Sequence, residues 1–207
     1  MNTLAERINS LRAGKIAETV SKRLAEFNSF KNKNNSEWFS ELCFCILTAN
    51  SKAKTALSIQ QELGTKGFMC CSANEVKNCI IRNKHRFHNN KSRFIIEARN
   101  FSEIKSIVRK MDEFKAREWL VKNIKGLGYK EASHFLRNTG SKNLAILDRH
   151  ILNLMVENRM ISAFPKLTKK SYIETERILK KFADALSMSM AELDLYMWYL
   201  KTGEVLK

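Results

Sequence analysis

Proline and glycine are scarce in this chain. Its 207 residues include one proline, Pro165, and seven glycines. Sandwiches and barrels built from short strands need many tight turns, so this scarcity favours helices joined by short loops. Hydrophobic residues make up 44% of the sequence, which is enough to form a core and argues against a disordered chain.

The cysteines lack the spacing of a zinc or redox site. There are five, an odd number, and no pair has C-x-x-C spacing. Cys43 and Cys45 lie in an apolar run, so we expect core residues rather than ligands there. Reduced thiols fit a cytosolic protein.

Acidic residues are few: the sequence has 21 Asp and Glu against 37 Lys and Arg, and its net charge is therefore +16. Such an excess attracts a polyanion, and nucleic acid is the usual one. A merely soluble basic protein, or one with ribosomal or chaperone-like binding, would share this charge. No apolar run approaches the ~20 residues that span a bilayer, and the N-terminus has no apolar core of a signal peptide. We therefore expect no membrane association.

Helical periodicity covers most of the chain. Residues 15–30 have amphipathic spacing, and residues 37–49, after a helix cap predicted at Ser36, contain an apolar run typical of a buried helix. Ser72 and Glu75 have capping-box spacing. No segment shows competing strand alternation, so we predict an all-α fold. Further helices are predicted at 52–63, 74–84, 91–100, 101–110, 113–124, 129–138, 149–157, 170–186 and 190–201.

The most informative stretch is LVKNIKGLGYKEA, residues 120–132. Gly126 and Gly128 flank one apolar residue between two predicted helices, and glycine permits positive φ and close backbone approach. The second helix starts at this turn, where its N–H groups suit a phosphate. The pattern is that of a helix-hairpin-helix, which contacts the DNA backbone without reading sequence. A plain helix–helix turn with a glycine C-cap remains an alternative; the basic flanks Lys122 and Lys125 favour the hairpin.

Asp148 follows the apolar run 144–147 and precedes a new amphipathic segment, as an N-cap residue does. A cap alone would explain it. Eighteen residues, one helix and one return segment, separate it from Lys130. That spacing allows the two side chains to lie on opposite sides of one cleft.

With these residues in place, the sequence resembles the helix-hairpin-helix DNA glycosylases. Lys130 matches the family's nucleophile position and Asp148 its aspartate position. Longer segments, together with the terminal Lys207, are similar to the compact archaeal-type 8-oxoguanine DNA glycosylases. The resemblance covers essentially the whole chain and implies one domain, residues 1–207, with two helical subdomains flanking a cleft, as in endonuclease III. The matching segments are LCFCILTAN (42–50), RFHNNKSRFIIEAR (86–99), EASHFLRNTG (131–140), LDRHIL (147–152) and DLYMWYL (194–200).

The resemblance implies a bifunctional enzyme acting on double-stranded DNA. It would flip the nucleotide out of the duplex, and Lys130, as a neutral amine, would attack C1′, release 8-oxoguanine and form a Schiff base that leads to β-elimination. Asp148 would stabilise positive charge on the sugar. We expect a cytoplasmic, nucleoid-associated monomer.

The resemblance also bears on cofactors. Endonuclease III and the adenine glycosylase usually bind an iron–sulfur cluster through four cysteines after the catalytic aspartate. The last cysteine here is Cys79, ahead of Asp148, so we expect no such cluster. No cofactor is expected beyond a monovalent cation held by hairpin carbonyls.

Further roles rest on the same resemblance. Asn50 would fill the space left by the flipped nucleotide and Phe87 would wedge into the base stack, although a core aromatic explains Phe87 equally well. His150 would contact a phosphate near the flipped nucleotide, beside the grip formed by Gly126, Gly128 and Lys125.

Three residues are assigned to the base pocket. Trp198 would stack on the flipped base, with His134 one helical turn beyond Lys130. Lys207 would help to recognise the lesion, because 8-oxoguanine has an N7–H donor where guanine has an acceptor. A carboxylate such as the chain terminus accepts from that donor.

Two alternatives remain at this point. One is the same chemistry on another oxidised base, such as a damaged pyrimidine. The other is a helix-hairpin-helix DNA-binding protein without catalysis. The lack of cluster cysteines and the C-terminal pattern favour 8-oxoguanine, and the presence of both Lys130 and Asp148 argues for catalysis.

Overall fold

The computed structural model describes residues 3–166 and 168–207. Twelve α-helices and two short 3-10 turns form within those residues, and no strand occurs among them, which confirms the all-α prediction. None of the described helices is both long and apolar enough to cross a membrane. The helices are α1 (Leu4–Arg12), α2 (Ile16–Ser29), α3 (Asn35–Thr48), α4 (Ala53–Cys70), α5 (Ala73–Arg82), α6 (His88–Ala98), α7 (Ile104–Val108), α8 (Glu113–Asn123), α9 (Tyr129–Asn138), α10 (Arg149–Glu157), α11 (Lys169–Ala185) and α12 (Met190–Thr202).

The chain divides into two compact units. The first comprises Met1–Lys31 and Arg137–Lys207, and the second comprises Asn32–Leu136. We call them the terminal unit and the central unit.

Helix α3 forms the core of the central unit. Every residue from Trp38 to Thr48 is buried, as expected for a helix that is apolar on all sides. Cys43 and Cys45 are fully buried, as predicted, and burial raises the pKa of the Cys43 thiol well above its usual value. The helix begins after Asn34 rather than Ser36, because Asn34 forms a capping box with Glu37.

Three other helices differ from the sequence prediction. Helix α1 was not predicted, yet a capping box at Thr3 starts it and two buried apolar residues anchor it. Helix α4 runs seven residues further than expected, to Cys70, through a kink at Gly64 (φ 59°). The helix predicted at 101–110 is shorter, and α7 spans five residues.

In the terminal unit, buried polar contacts hold the extended segment that leads to Asp148. The Tyr172 hydroxyl donates to the Ala145 carbonyl at 2.7 Å, and the Ala145 N–H donates to the Glu176 carboxylate at 2.8 Å. Because both backbone groups of Ala145 are paired with α11, the segment lies fixed without belonging to a helix or strand.

Candidate active site

The predicted hairpin forms in the central unit, between the end of α8 at Asn123 and the start of α9 at Tyr129. Ile124 and Leu127 are buried and anchor the turn, as expected. Gly126 has φ 87°, and a Cβ there would lie 2.6 Å from Phe94 Cδ2. Both the conformation and the lack of space require glycine.

Lys130 lies in the first turn of α9, with its side chain 25% exposed. Its Nζ is 3.1 Å from Glu131 Oε1. The other oxygen of the same carboxylate accepts the Gly128 N–H at 3.2 Å. One carboxylate therefore connects the hairpin turn to the candidate nucleophile.

This geometry changes the expectation for Gly128. We predicted that the hairpin amides would be open to a phosphate, but the Gly128 N–H already donates to Glu131. Glu131 was not among the residues predicted from the sequence. Its signal was present, since a glutamate three residues after an N-cap position commonly reaches back to the cap N–H.

A second lysine, Lys91 of α6, lies in the same region and is buried, at 5% exposure. Its Nζ donates to the Ile46 carbonyl at 2.6 Å. Burial lowers the Lys91 pKa to about 8; the charge of Glu131 opposes this shift and that of Lys130 adds to it. Sequence reasoning missed Lys91, because nothing in its spacing distinguishes it from an exposed lysine.

Asn50 and Phe87 lie on two loops that the structure connects. Asn50 follows the buried residues of α3 and is itself exposed. Its φ is 58°. The Arg86 guanidinium donates to the Asn50 carbonyl at 3.3 Å and lies 4.6 Å from the centroid of the Phe87 ring. Phe87 is 37% exposed, so it is not a fully buried core aromatic.

His85 holds the Phe87 loop in place. Its Nδ1 accepts the Phe87 N–H at 3.2 Å, and its Nε2 pairs with the Leu47 carbonyl at 2.9 Å. These partners require a neutral ring protonated at Nε2. Burial lowers the His85 pKa, which favours that neutral form.

Two other predicted residues of the central unit have structural partners. Lys125 is exposed, and its Nζ lies 3.0 Å from Glu97 Oε2. His134 is buried, with its ring edge to face against Phe44 at a centroid distance of 5.6 Å.

In the terminal unit, Asp148 is the N-cap of α10, as predicted, and accepts the Ile151 N–H at 2.8 Å. Nearby Asp194 is buried and pairs with Arg137 at 2.6 Å. The pKa of Asp194 is raised to about 6, chiefly by burial; the charge of Arg137 lowers it and that of Asp148 raises it further.

The remaining predicted residues also belong to the terminal unit. The rings of His150 and Trp198 meet edge to face, with centroids 4.9 Å apart. The Trp198 indole N–H is buried and has no acceptor among the described residues. Lys207 lies half-buried beyond Gly203, whose φ of 71° ends α12.

These features define a class of protein. An all-α fold with a glycine hairpin, a lysine in the first turn of its second helix and a helix-capping aspartate further on is that of the helix-hairpin-helix DNA glycosylases. Within that class, a family model described as 8-oxoguanine DNA glycosylase matches residues 20–188, and the chain belongs to this family.

Individual relatives are similar over nearly the full chain. An 8-oxoguanine DNA glycosylase/AP lyase of Methanocaldococcus jannaschii is 48% identical, covering 99% of both sequences. The crystal structure of the M. jannaschii glycosylase/lyase with a 15mer DNA containing 8-oxoguanine has a TM-score of 0.96 and covers 99% of both chains at 48% identity. The 8-oxoguanine DNA glycosylase of Thermotoga maritima has a TM-score of 0.93 at 40% identity, covering 99% of this chain and 98% of that one.

Proposed function

We propose that this protein excises 8-oxoguanine from double-stranded DNA and then cleaves the strand at the base-free site. The position of Lys130 carries the proposal: it is a partly exposed amine in the first turn of the helix that follows a glycine hairpin. Full-length similarity to glycosylase/lyases supports the substrate and both steps.

The hairpin and the net charge of +16 would provide the grip on DNA. Backbone groups at a helix start bind phosphate without reading sequence. Exposed Lys125 adds positive charge at the turn. A phosphate contact at the Gly128 amide would compete with Glu131, which holds that amide in the structure described.

Lys130 would act as a nucleophile. Its neutral amine attacks C1′ while the bond from C1′ to the base breaks and the bonding electrons leave with the base. The released base takes up the proton that the nitrogen loses. The ring oxygen then leaves C1′ with its bonding electrons and is protonated as the C1′–N double bond of the Schiff base forms. Removal of a 2′ proton then expels the 3′ phosphate, which completes β-elimination.

Asp148 would stabilise the positive charge that develops on the sugar. Its carboxylate also caps α10, which fixes the side chain on a rigid element. His150, two residues further along, is proposed to contact the phosphate near the flipped nucleotide.

Asn50 and Phe87 are proposed to occupy the gap in the duplex, and Trp198, His134 and Lys207 to contact the flipped base. The buried Trp198 indole N–H supports a pocket role, because no acceptor for it exists among the described residues. Lys207 is proposed to contribute to the distinction between 8-oxoguanine and guanine.

We propose that a monovalent cation at the hairpin is the sole ion involved, without an iron–sulfur cluster. The Ile124 carbonyl, which accepts the Leu127 N–H at 3.3 Å, has a second lone pair and would be one ligand of such an ion. When bound, the cation would add positive charge where a phosphate docks. Replacing potassium by tetramethylammonium should then weaken DNA binding.

Borohydride trapping tests the proposed function. The protein is incubated with a duplex containing one 8-oxoguanine, and a covalent adduct is expected with the wild type but not with Lys130→Gln. Asp148→Asn should bind the duplex yet lose turnover. An adduct of equal yield in Lys130→Gln would refute the role of Lys130.

Matched duplexes separate the alternatives. Excision of an oxidised pyrimidine in preference to 8-oxoguanine would assign a different lesion. Binding without excision of any lesion would indicate a DNA-binding protein. Binding should weaken steeply as salt rises, because phosphate contacts release counterions.

A further inference from the structure

The carboxylate of Glu131 contacts both the hairpin turn and the candidate nucleophile. Oε2 accepts the Gly128 N–H at 3.2 Å, and Oε1 lies 3.1 Å from Lys130 Nζ. The Glu131 side chain is 12% exposed, so solvent screens these contacts weakly. A lysine side chain has four rotatable bonds, and a short charged contact restricts the position of its amine.

We propose that Glu131 is a positioning residue for the glycosylase/lyase reaction, holding the Lys130 amine at a fixed place relative to the hairpin turn. This inference rests on the proposed function, because it takes Lys130 to be the nucleophile. The turn that binds the DNA backbone and the amine that attacks the sugar are then joined by one carboxylate. Fixed distance between a reacting atom and its substrate raises rates strongly.

The surroundings of the carboxylate support this role. The charge of buried Lys91 interacts with the charges of Glu131 and Lys130. Its Nζ is held by a hydrogen bond to the Ile46 carbonyl. Glu131 thus interacts with two lysine side chains. Its two oxygens accept from the Gly128 N–H and from Lys130 at the same time, and a neutral Lys130 amine still has an N–H to donate to the carboxylate.

A purely structural explanation exists, since Glu131 satisfies the amide that precedes α9. That role needs a hydrogen-bond acceptor but no charge. Glutamine keeps a side-chain oxygen for the Gly128 N–H and presents an NH2 group to Lys130 instead of a second oxygen. Glu131→Gln therefore preserves the hydrogen bond from the Gly128 N–H and removes the contact that positions the Lys130 amine.

The test compares Glu131→Gln, Glu131→Ala and Glu103→Gln with the wild type. Glu103 is exposed in the same unit and its side chain makes no cap hydrogen bond, so its variant controls for the lost charge. Three quantities are measured: the melting temperature, the Kd for the 8-oxoguanine duplex, and the single-turnover rate of borohydride trapping at saturating DNA.

For Glu131→Gln we expect an unchanged melting temperature, a Kd equal to or below that of the wild type, and a trapping rate about tenfold lower, as for one lost charge-assisted hydrogen bond. Glu131→Ala should show the same rate loss with a lower melting temperature, and Glu103→Gln should match the wild type.

A trapping rate in Glu131→Gln within twofold of the wild type would overturn the proposal. If the wild-type protein itself gives no Lys130-dependent adduct, the proposed function fails instead, and the two failures are thereby distinguished.

Discussion

The imidazole of His150 meets the indole of Trp198 edge to face, with ring centroids 4.9 Å apart. The histidine thus restricts the orientation of the indole, whose buried N–H has no acceptor among the described residues. A fixed aromatic face suits a flipped purine, because every base has a π-face to stack.

We expect Trp198→Ala to lower the rate of 8-oxoguanine excision about 5- to 150-fold, since stacking contributes about 1–3 kcal/mol per base. Cleavage of a preformed base-free site should change little, because that substrate has no base to stack. Trp198→Phe, which keeps a ring, should retain part of the excision rate. Equal losses on both substrates would assign Trp198 to the fold rather than to the base.

The ion pair of Arg137 and Asp194 is the basis of a stability prediction. The two side chains are nearly buried and 2.6 Å apart. At pH 8 Asp194 is ionised, because its pKa is raised only to about 6. Asp194→Leu leaves the guanidinium buried without its anion, so we expect a loss of roughly 3 kcal/mol in the free energy of unfolding.

Urea denaturation at pH 8 measures that loss. The double variant Arg137→Met, Asp194→Leu should recover much of it, because it no longer leaves a buried charge unpaired. If the single and double variants are equally unstable, packing rather than the charge pair accounts for the effect.

The buried Lys91 predicts a pH dependence of stability. Its pKa in the folded state is about 8, below the ordinary lysine value of 10.5. The unfolded chain therefore binds more protons between pH 8 and pH 10.5, and stability due to this group rises with pH across that window. Below pH 8 the cost of the buried charge is fully present.

Lys91→Met removes this titration. Relative to that variant, the wild type should gain about 2 kcal/mol in the free energy of unfolding between pH 7 and pH 9.5. Lys122→Met serves as the control, since Lys122 is exposed. The free energy of unfolding is measured by urea denaturation at both pH values. If the wild type gains nothing relative to Lys91→Met, the burial of a charged Lys91 is contradicted.

The sequence predicted most helices because their signals are local. The capping box at Ser72 and the apolar run of α3 both form as expected. Errors arose where two local signals competed or where the charge pattern hid an apolar face. Asn34 rather than Ser36 starts α3, and α1 is held by two buried residues within a charged segment.

The parts of the candidate site that depend on one residue and its neighbours in sequence were predictable. Gly126 and the cap at Asp148 follow from backbone rules that act over a few positions. Glu131, Lys91 and His85 were missed because their roles depend on which neighbours the fold brings to them. The sequence alone does not show whether a charged residue is exposed to solvent or buried, as Lys91 is at 5% exposure.

The side chain of Phe87 is placed where it could open the base stack. Its ring is 37% exposed beneath the Arg86 guanidinium, and its N–H donates to His85. A partly exposed apolar ring held at the start of α6 suits insertion between base pairs, which costs unstacking energy that the inserted ring offsets.

If Phe87 is such a wedge, Phe87→Ala should slow excision from a duplex about tenfold. A base-free site in single-stranded DNA has no stack to open, so its cleavage should stay near the wild-type rate. His85→Ala should give a similar but smaller loss on the duplex, because the ring remains while its loop loses the contact at Nδ1. Phe114→Ala is the matched control, as Phe114 is also an exposed aromatic of the central unit. Equal rates for Phe87→Ala and Phe114→Ala on the duplex would exclude the wedge, whereas a loss confined to Phe87→Ala on the duplex assigns the ring to opening the base stack.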